Sequence, residues 1–514
     1  MRRKILSLAT AFCMPLTLTG CGSNGTVRDS AEAPTLPPAE APYEAPDGDF
    51  PIAEEKLYTL YLPGQNGLHL VAQHVTLEPD TLHNTVEALV RELLSFPGND
   101  QVSAPGGDTE LTLFGDNPVE LSGGVCTVNL GSSALQLSYR NFYYLALSLS
   151  ASLCELEEVE YVNVLVADQG VGLDTTGGLA MGSLTAHLGE NLPVLWEQTE
   201  ARKTPLGSDM SKTPLSSRVT LYFPLENGEG MICETTDITF EGQTPQQMAV
   251  RILEAMGEGS RETAGVPKMP DILSLLAHEP LASELADGGR LITLSFREDA
   301  WEELEGMGVD PECLLASAAW SLMTFIPGTA AVSLRVGEQP VTLLTSERFG
   351  EIPILGGLMH RSDFSAFLRG RTTVYFEKDG KLAPCEKAVE QDQSDSPREQ
   401  LGALLRGPGE RERAEGFISS LPDELGEEDI LGISAVGDML LVNLSESFRS
   451  GIYSAGAEKE MLVCYSMVNT LCHNTGKNRV CFFFEGEQVE RIAGEIYWAG
   501  IFIRNDGLIE PSFG

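Results

Sequence analysis

The stretch that decides the fold is residues 435–487, which opens with the apolar run MLLVNL at 439–444. The polar residues SES at 445–447 follow this run and predict a turn. The run VCFFF at 480–484 ends the stretch and is apolar enough to form a strand buried on both faces. Between the two runs, apolar residues recur at the three- and four-residue spacing of one helical face: Met461, Cys464, Tyr465, Val468, Leu471 and Cys472. The stretch therefore predicts a strand, a helix and a second strand.

The same order of elements recurs twice upstream, at a period of roughly 155 residues, which is far longer than the repeats of solenoids. Each copy begins with a similar strand, followed by a turn and a helix with a Ser or Thr start signal. The strands are LYTLYL at 57–62, VTLYF at 219–223 and TTVYF at 372–376. In the second half of the copies, VCTVNL at 125–130 and LITLSF at 291–296 correspond to MLLVNL. We therefore predict three tandem small modules of the α/β (α+β) class, each a mixed sheet with helices packed on it, at 56–195, 218–360 and 371–514.

The third copy carries a set of motifs that resembles the GerM-type (GerMN) sporulation and germination domain. These motifs are Gly407-Pro408, VNLS at 442–445, Phe448, Thr470-Leu471 and FEG at 484–486. The resemblance implies a small module similar to the ring-building motifs of secretion systems. It also implies a lipoprotein of a spore-forming bacterium that supports the complex bridging mother cell and forespore. No catalytic residue and no cofactor is implied by the resemblance.

The N-terminal residues predict the compartment. The basic start MRRK at 1–4 precedes a mostly apolar run at 5–18, which is too short to span a bilayer comfortably. The sequence LTGC at 18–21 has the spacing of a bacterial lipobox, so 1–21 resembles a lipoprotein signal peptide with Cys21 as the lipid attachment site, where palmitate would be carried. Residues 22–55 are rich in Pro, Ala and acidic side chains and predict an extended tether. We expect the protein to lie outside the cytoplasm, anchored in the cell membrane by its lipid.

Charge excludes some partners. The formal net charge is −41, with 75 acidic and 34 basic residues. Nucleic acid is not expected as a partner because phosphate binding needs a basic surface. The same excess argues against flat binding to an anionic membrane surface.

The sequence offers few groups for chemistry or metal binding. It has no Gly-x-Ser-x-Gly nucleophile motif, no His-Glu-x-x-His pair and no phosphate-binding Gly-rich loop. The nearest approach to a zinc site is a set of four residues within one helix and the next strand: Cys464, Cys472, His473 and Cys481. We favour core packing or a disulfide for these cysteines and predict no metal site. Eight cysteines remain besides Cys13 and Cys21, and their pairing is open.

Two further groups have a functional and a structural interpretation. The acidic run Glu155, Glu157, Glu158 and Glu160 could bind a cation, although a solvated loop is favoured. Aromatic residues at Tyr143, Tyr144 and Trp498 could stack on cell-wall sugars, although at helical spacing they are more often part of a core.

The sequence as a whole predicts a structural or interaction protein with no enzymatic activity, in sporulation or germination. Its partners would be proteins of an envelope or sporulation complex, with self-association through sheet edges and helix faces. The alternative is an envelope lipoprotein that binds peptidoglycan or another wall ligand. A hydrolase is a third, more distant interpretation.

Overall fold

A computed structural model describes residues 43–50, 55–78, 81–261, 265–286, 288–337, 339–391 and 396–510. Cys21, the predicted signal peptide and most of the predicted tether therefore lie outside the described residues. The chain is a mixed α/β protein built from several small sheets and the helices packed on them, which confirms the predicted fold class.

A core order of two strands, helix, two strands, helix and two strands occurs three times along the chain, with additional helices and strands in places, and we call these stretches the first, second and third units. The first unit contains β1 (Lys56–Pro63), β2 (Leu70–Leu77), α1 (Leu82–Ser95), β3 (Val119–Ser122), β4 (Val125–Leu130), α2 (Tyr139–Leu153), β5 (Tyr161–Val166), β6 (Gln169–Gly170) and α3 (Leu192–Glu200). The second contains β7 (Leu215–Pro224), β8 (Met231–Phe240), α4 (Pro245–Gly257), α5 (Ile272–Leu275), β9 (Leu281–Glu284), β10 (Arg290–Phe296), α6 (Ala300–Met307), α7 (Pro311–Phe325), β11 (Thr329–Val336), β12 (Gln339–Pro340), β13 (Leu343–Ser346), β14 (Gly350–Pro353) and β15 (Leu358–Met359). The third contains β16 (Arg369–Lys378), β17 (Lys381–Glu390), α8 (Pro397–Leu405), α9 (Glu410–Ala414), β18 (Ile430–Val436), β19 (Met439–Leu444), α10 (Glu446–Ala455), α11 (Ala457–Thr475), β20 (Arg479–Phe484) and β21 (Ile501–Ile503).

Each unit combines a long antiparallel hairpin with a second, mixed sheet. In the third unit the mixed sheet has the order β18-β19-β20-β21, with β19 and β20 parallel and both outer pairs antiparallel. The first unit has the same arrangement in β3-β4-β5-β6. A helix joins the two parallel strands in every unit, because parallel neighbours need a crossover connection.

One hydrogen bond that recurs in all three units fastens the hairpin to the crossover helix. The backbone N–H of a tyrosine in the first hairpin strand donates to a hydroxyl on the helix. The pairs are Tyr61 with Ser152 at 2.8 Å, Tyr222 with Ser321 at 2.8 Å and Tyr375 with Thr470 at 3.1 Å. The tyrosines that mark the sequence repeat therefore mark the same structural contact.

The polar residues 445–447 form a helix start, so the predicted turn at this position is wrong. The Ser445 side chain accepts a hydrogen bond from the Phe448 N–H at 3.1 Å and so caps α10, which begins at Glu446. A Ser at this position satisfies one of the free N–H groups of the first helical turn. The polar run is thus the first turn of α10, and Phe448 is buried beneath it.

The hydrophobic cores do not correspond one to one with the three units. A single hydrophobic core spans the first and second units, from Leu60 to Leu368. The third unit has its own core, from Val374 to Phe502. The first two units are joined because the hairpin of the second lies on the outer face of the sheet of the first, where Asn163 donates to Thr220 at 3.0 Å.

Arg361 joins the first unit to the second through buried polar contacts. It lies between the second and third units and is only 2% exposed. Its guanidinium forms an ion pair with Glu120 of β3 and donates to Tyr222 of β7 at 3.1 Å and to Thr324 of α7 at 2.7 Å. The same group lies 3.7 Å from the ring centroid of Trp320. Each nitrogen of the guanidinium has a hydrogen-bond partner, which offsets the cost of burying the charge.

Candidate functional site

A groove with a volume of about 1480 Å³ lies in the third unit. The Gly407-Pro408 pair creates one of its walls. Gly407 adopts a left-handed conformation with φ of +70° and ends α8, and a proline after a helix end prevents its continuation. The chain therefore turns away from α8 and runs beside α10, with the groove between them.

The opposite wall of the groove is one face of α10. Ser447, Ser450 and Ser454 all line the groove, and their spacing places their hydroxyls along the same side of the helix. Gly451 lets the loop approach closely, because a Cβ there would lie 3.1 Å from Cγ of Pro422. The wall is therefore a row of small hydroxyl side chains that can donate and accept hydrogen bonds.

Charged side chains of both signs stand around the groove. Arg413 and Lys459 lie on its lining, as do Asp423, Glu424 and Glu446. The mixture of hydroxyl, cationic and acidic groups suits recognition of a polar ligand or a peptide more than covalent chemistry. We find no histidine or cysteine among its lining residues.

A second, smaller depression of about 340 Å³ adjoins the groove along α10, and Glu446, Ser450 and Ser454 line both. Tyr453 stands on its edge with 70% of its surface exposed, and Arg449 and Arg491 line it. An exposed aromatic ring beside guanidinium groups is typical of surfaces that contact partners, since Tyr and Arg are enriched there. The helix α10 thus presents polar recognition groups across one broad surface.

The four candidate zinc ligands do not converge. Cys464 and Cys472 belong to the main core of the third unit, whereas Cys481 belongs to the small apolar cluster on the opposite face of the sheet. His473 contacts the Tyr375 hydroxyl at 3.2 Å and Arg504 instead. Within the described part of the chain, no group of three or more His, Cys, Asp or Glu residues is placed to hold a metal.

All eight described cysteines are free thiols, and seven of them are buried. Core packing is therefore the interpretation that the structure supports for these residues. Burial raises the pKa of Cys472 to about 11 and that of Cys385 to about 12, which disfavours the reactive thiolate.

The other sequence candidates have structural contacts. Tyr143 is buried with its ring centroid 5.9 Å from that of Trp196, and Trp498 is completely buried in the third core, whereas Tyr144 is partly buried. In the acidic run, Glu155 accepts a hydrogen bond from the Tyr61 hydroxyl at 2.9 Å. Neither set forms a ligand site.

Glu460 is a functional group that the sequence did not single out. It is fully buried on α11 and accepts hydrogen bonds from the N–H groups of Ala493, Glu495 and Ile496, at 2.9, 2.6 and 3.1 Å, and from the indole N–H of Trp498 at 2.8 Å. The carboxylate holds the loop before β21 in place. Only its position among the apolar residues of α11 could have indicated burial.

No helix in the described ranges is long and apolar enough to cross a membrane. Residues 373–490, which cover most of the third unit, match the family model Germane, described as sporulation and spore germination. The resemblance that the sequence motifs indicated is thereby confirmed for this unit, and the match supports a role in sporulation or germination.

Two solved structures are similar to the chain. One contains the tandem GerMN domains of the sporulation protein GerM from Bacillus subtilis, at 17% identity and a TM-score of 0.22, and covers 59% of this chain and 96% of that one. The other is a proposed lipoprotein from Clostridium perfringens, at 19% identity and a TM-score of 0.19, covering 27% of this chain and 89% of that one. Both TM-scores are too low to carry a functional argument. A search of the curated proteins finds no match.

Proposed function

Because residues 373–490 match the Germane family model of sporulation and spore germination, we propose that the protein is a structural or interaction component of the sporulating or germinating cell envelope. In this proposal Cys21 carries the lipid, the folded chain faces outside the cytoplasm, and the three units are tandem GerMN-like modules. They support the complex between mother cell and forespore through protein contacts. The proposal assigns no catalytic residue.

The family match of residues 373–490 carries this proposal. Two features of the structure support it. The units are joined to each other through buried contacts, such as those of Arg361, which suits a load-bearing scaffold. The third unit leaves α10 and its two grooves open to a partner.

Localisation in the native host tests the proposal. A full-length fusion with an oxygen-independent tag is followed through vegetative growth and sporulation, together with a Cys21→Ala variant. We expect accumulation at the septal or engulfing membrane that depends on Cys21. Uniform envelope signal in growing cells, with no change on sporulation, would contradict the sporulation role.

A second candidate function is binding of peptidoglycan or another wall ligand. The observation that favours it is the exposed ring of Tyr453 beside the hydroxyl row of α10, since rings and hydroxyl groups together suit a polar sugar polymer. Co-sedimentation with purified peptidoglycan tests it. Tyr453→Ala and Ser450→Trp should abolish retention, whereas Tyr139→Ala, which removes an exposed tyrosine from the first unit, should not. Absence of retention by the unmodified chain would exclude the wall ligand.

A further inference from the structure

The described part of the predicted tether, residues 43–50, lies on the third unit. Asp49 and Phe50 both form hydrogen bonds with Ile433 of the edge strand β18. The Phe50 N–H donates to the Ile433 carbonyl, and the Ile433 N–H donates to Asp49 Oδ1, both at 3.0 Å. Arg398 forms an ion pair with the Asp49 carboxylate. We call residues 43–50 the clasp.

The clasp also covers the outer face of the third sheet. Tyr43 and Ala45 pack against a cluster of apolar side chains that points away from the main core: Met439, Leu441, Cys481, Phe483 and Ile501. The Asn443 side chain donates to the Pro46 carbonyl at 2.9 Å. Five such side chains in one patch, left open to water, would be an exposed hydrophobic surface of the kind that drives association.

The first unit shows what else can occupy this face. By the sequence repeat, Thr127 and Asn163 of the first unit correspond to Leu441 and Cys481 of the third. In the first unit this face carries the polar Thr127 and Asn163 at these positions and is covered by the hairpin of the second unit, to which Asn163 donates a hydrogen bond at Thr220. In the third unit the face is apolar and is covered by the clasp. The equivalent sheet faces of the first and third units are thus covered by different segments, and the polarity of their side chains matches the segment that covers them.

Gly432 of β18 packs directly against the backbone of the clasp. A Cβ at this position would lie 2.6 Å and 2.7 Å from the backbone N and O of Gly48 and 2.8 Å from the carbonyl O of Pro46. Backbone atoms cannot yield as a flexible side chain can, so the clasp requires glycine at 432. Gly48, in contrast, has no atom within 4 Å of a Cβ built on it.

We propose that the clasp fastens the N-terminal tether to the third unit, so that the third unit, and not the first, is the attachment point of the folded chain to the membrane. The membrane part of this inference rests on the lipid at Cys21 in the proposed function. Without the clasp, the chain between Cys21 and Lys56 could extend to about 125 Å, at most about 3.6 Å per residue. With the clasp, the chain from Cys21 to the fastened residue Tyr43 can span at most about 80 Å.

Hydrogen exchange on the soluble chain beginning at residue 22 tests the clasp by itself. We expect the amides of Phe50 and Ile433 to be protected in the unmodified chain. Gly432→Ala should raise their exchange rates at least about tenfold, while Gly48→Ala should leave them unchanged. Asp49→Ala gives the same release without altering the third unit, and so remains informative if Gly432→Ala folds poorly. Free exchange in the unmodified chain, or equal rates in the two glycine variants, would overturn the clasp.

Energy transfer from the lipidated full chain to a dye in the vesicle headgroup layer tests the attachment. Donors are placed at Tyr453→Cys in the third unit and at Leu135→Cys in the first, both of which are exposed positions. We expect stronger transfer from the third unit, and loss of that difference in the Gly432→Ala background. Equal transfer from both donors would overturn the attachment. Protected clasp amides in a chain that never associates with vesicles would refute the Cys21 anchor and leave only the clasp standing.

Discussion

Replacing Arg361 by methionine should destabilise the shared core of the first and second units more than any surface change. The variant keeps much of the side-chain volume over Trp320 but leaves the partly buried carboxylate of Glu120 without its cation. It also removes the donors to the hydroxyls of Tyr222 and Thr324. Removing one partner of a buried ion pair typically costs about 3–5 kcal/mol.

The expected change in melting temperature follows from that magnitude. A core of this size responds by about 2–4 °C per kcal/mol, so Arg361→Met should lower its transition by roughly 10 °C. Scanning calorimetry measures this, because the separate cores from Leu60 to Leu368 and from Val374 to Phe502 should give distinguishable transitions. The matched control is Arg251→Met, which removes a surface pair with Glu258 and should cost about 1 kcal/mol at most.

A second substitution separates charge from packing. Burial raises the pKa of Glu120 above its usual range even though Arg361 opposes the rise, so the carboxylate without Arg361 is the costly group. Adding Glu120→Leu to Arg361→Met should therefore restore part of the lost stability. If Arg361→Met melts at the same temperature as Arg251→Met, or if Glu120→Leu restores no stability, then the buried ion pair does not stabilise the contact between the first and second units.

Three further outcomes are expected. Burial lowers the pKa of His473, and Arg504 lowers it further, so the unfolded chain binds the proton first and stability falls as pH drops below about 6.5. His473→Gln should flatten this loss of melting temperature between pH 7.5 and 5, and an unchanged pH profile would contradict the assignment. Glu460→Gln should lower the stability of the third core by about 2–3 kcal/mol, because an amide oxygen cannot accept all four hydrogen bonds of the carboxylate. Hydrogen exchange of residues 493–498 should then be faster, and unchanged exchange would contradict this role. The buried thiols should react slowly with a disulfide reagent in the native chain and quickly in denaturant, since burial raises the pKa of Cys472 to about 11. Rapid labelling of more than one thiol in the native chain would contradict their burial.

The periodic features of the sequence predicted the elements well. The alternation around Tyr61, Tyr222 and Tyr375 corresponds to β1, β7 and β16, and the runs at 439–444 and 480–484 are β19 and β20. These features were readable because each depends on neighbours two to four residues apart. Ser445 was misread because a helix N-cap and a turn use the same residue types.

Contacts between distant residues were not readable. Arg361 lies more than two hundred residues from Glu120, and no pattern in the sequence joins them. The groove beside α10 was missed for the same reason, since its walls come from two separate segments. The set Cys464, Cys472 and Cys481 was a reasonable ligand candidate until the sheet placed Cys481 on the opposite face.

The sequence by itself determined the α/β class and the resemblance of residues 373–490 to a sporulation and germination domain, because local periodicity and motif spacing encode them. Only the tertiary structure decided that the first two units share a core, that Arg361 joins these two units, and that residues 43–50 cover the outer face of the third sheet. The physical reason is that burial and charge pairing depend on which surfaces meet. The roles of Gly432 and Arg361 can be assigned only once the groups that pack against them are known.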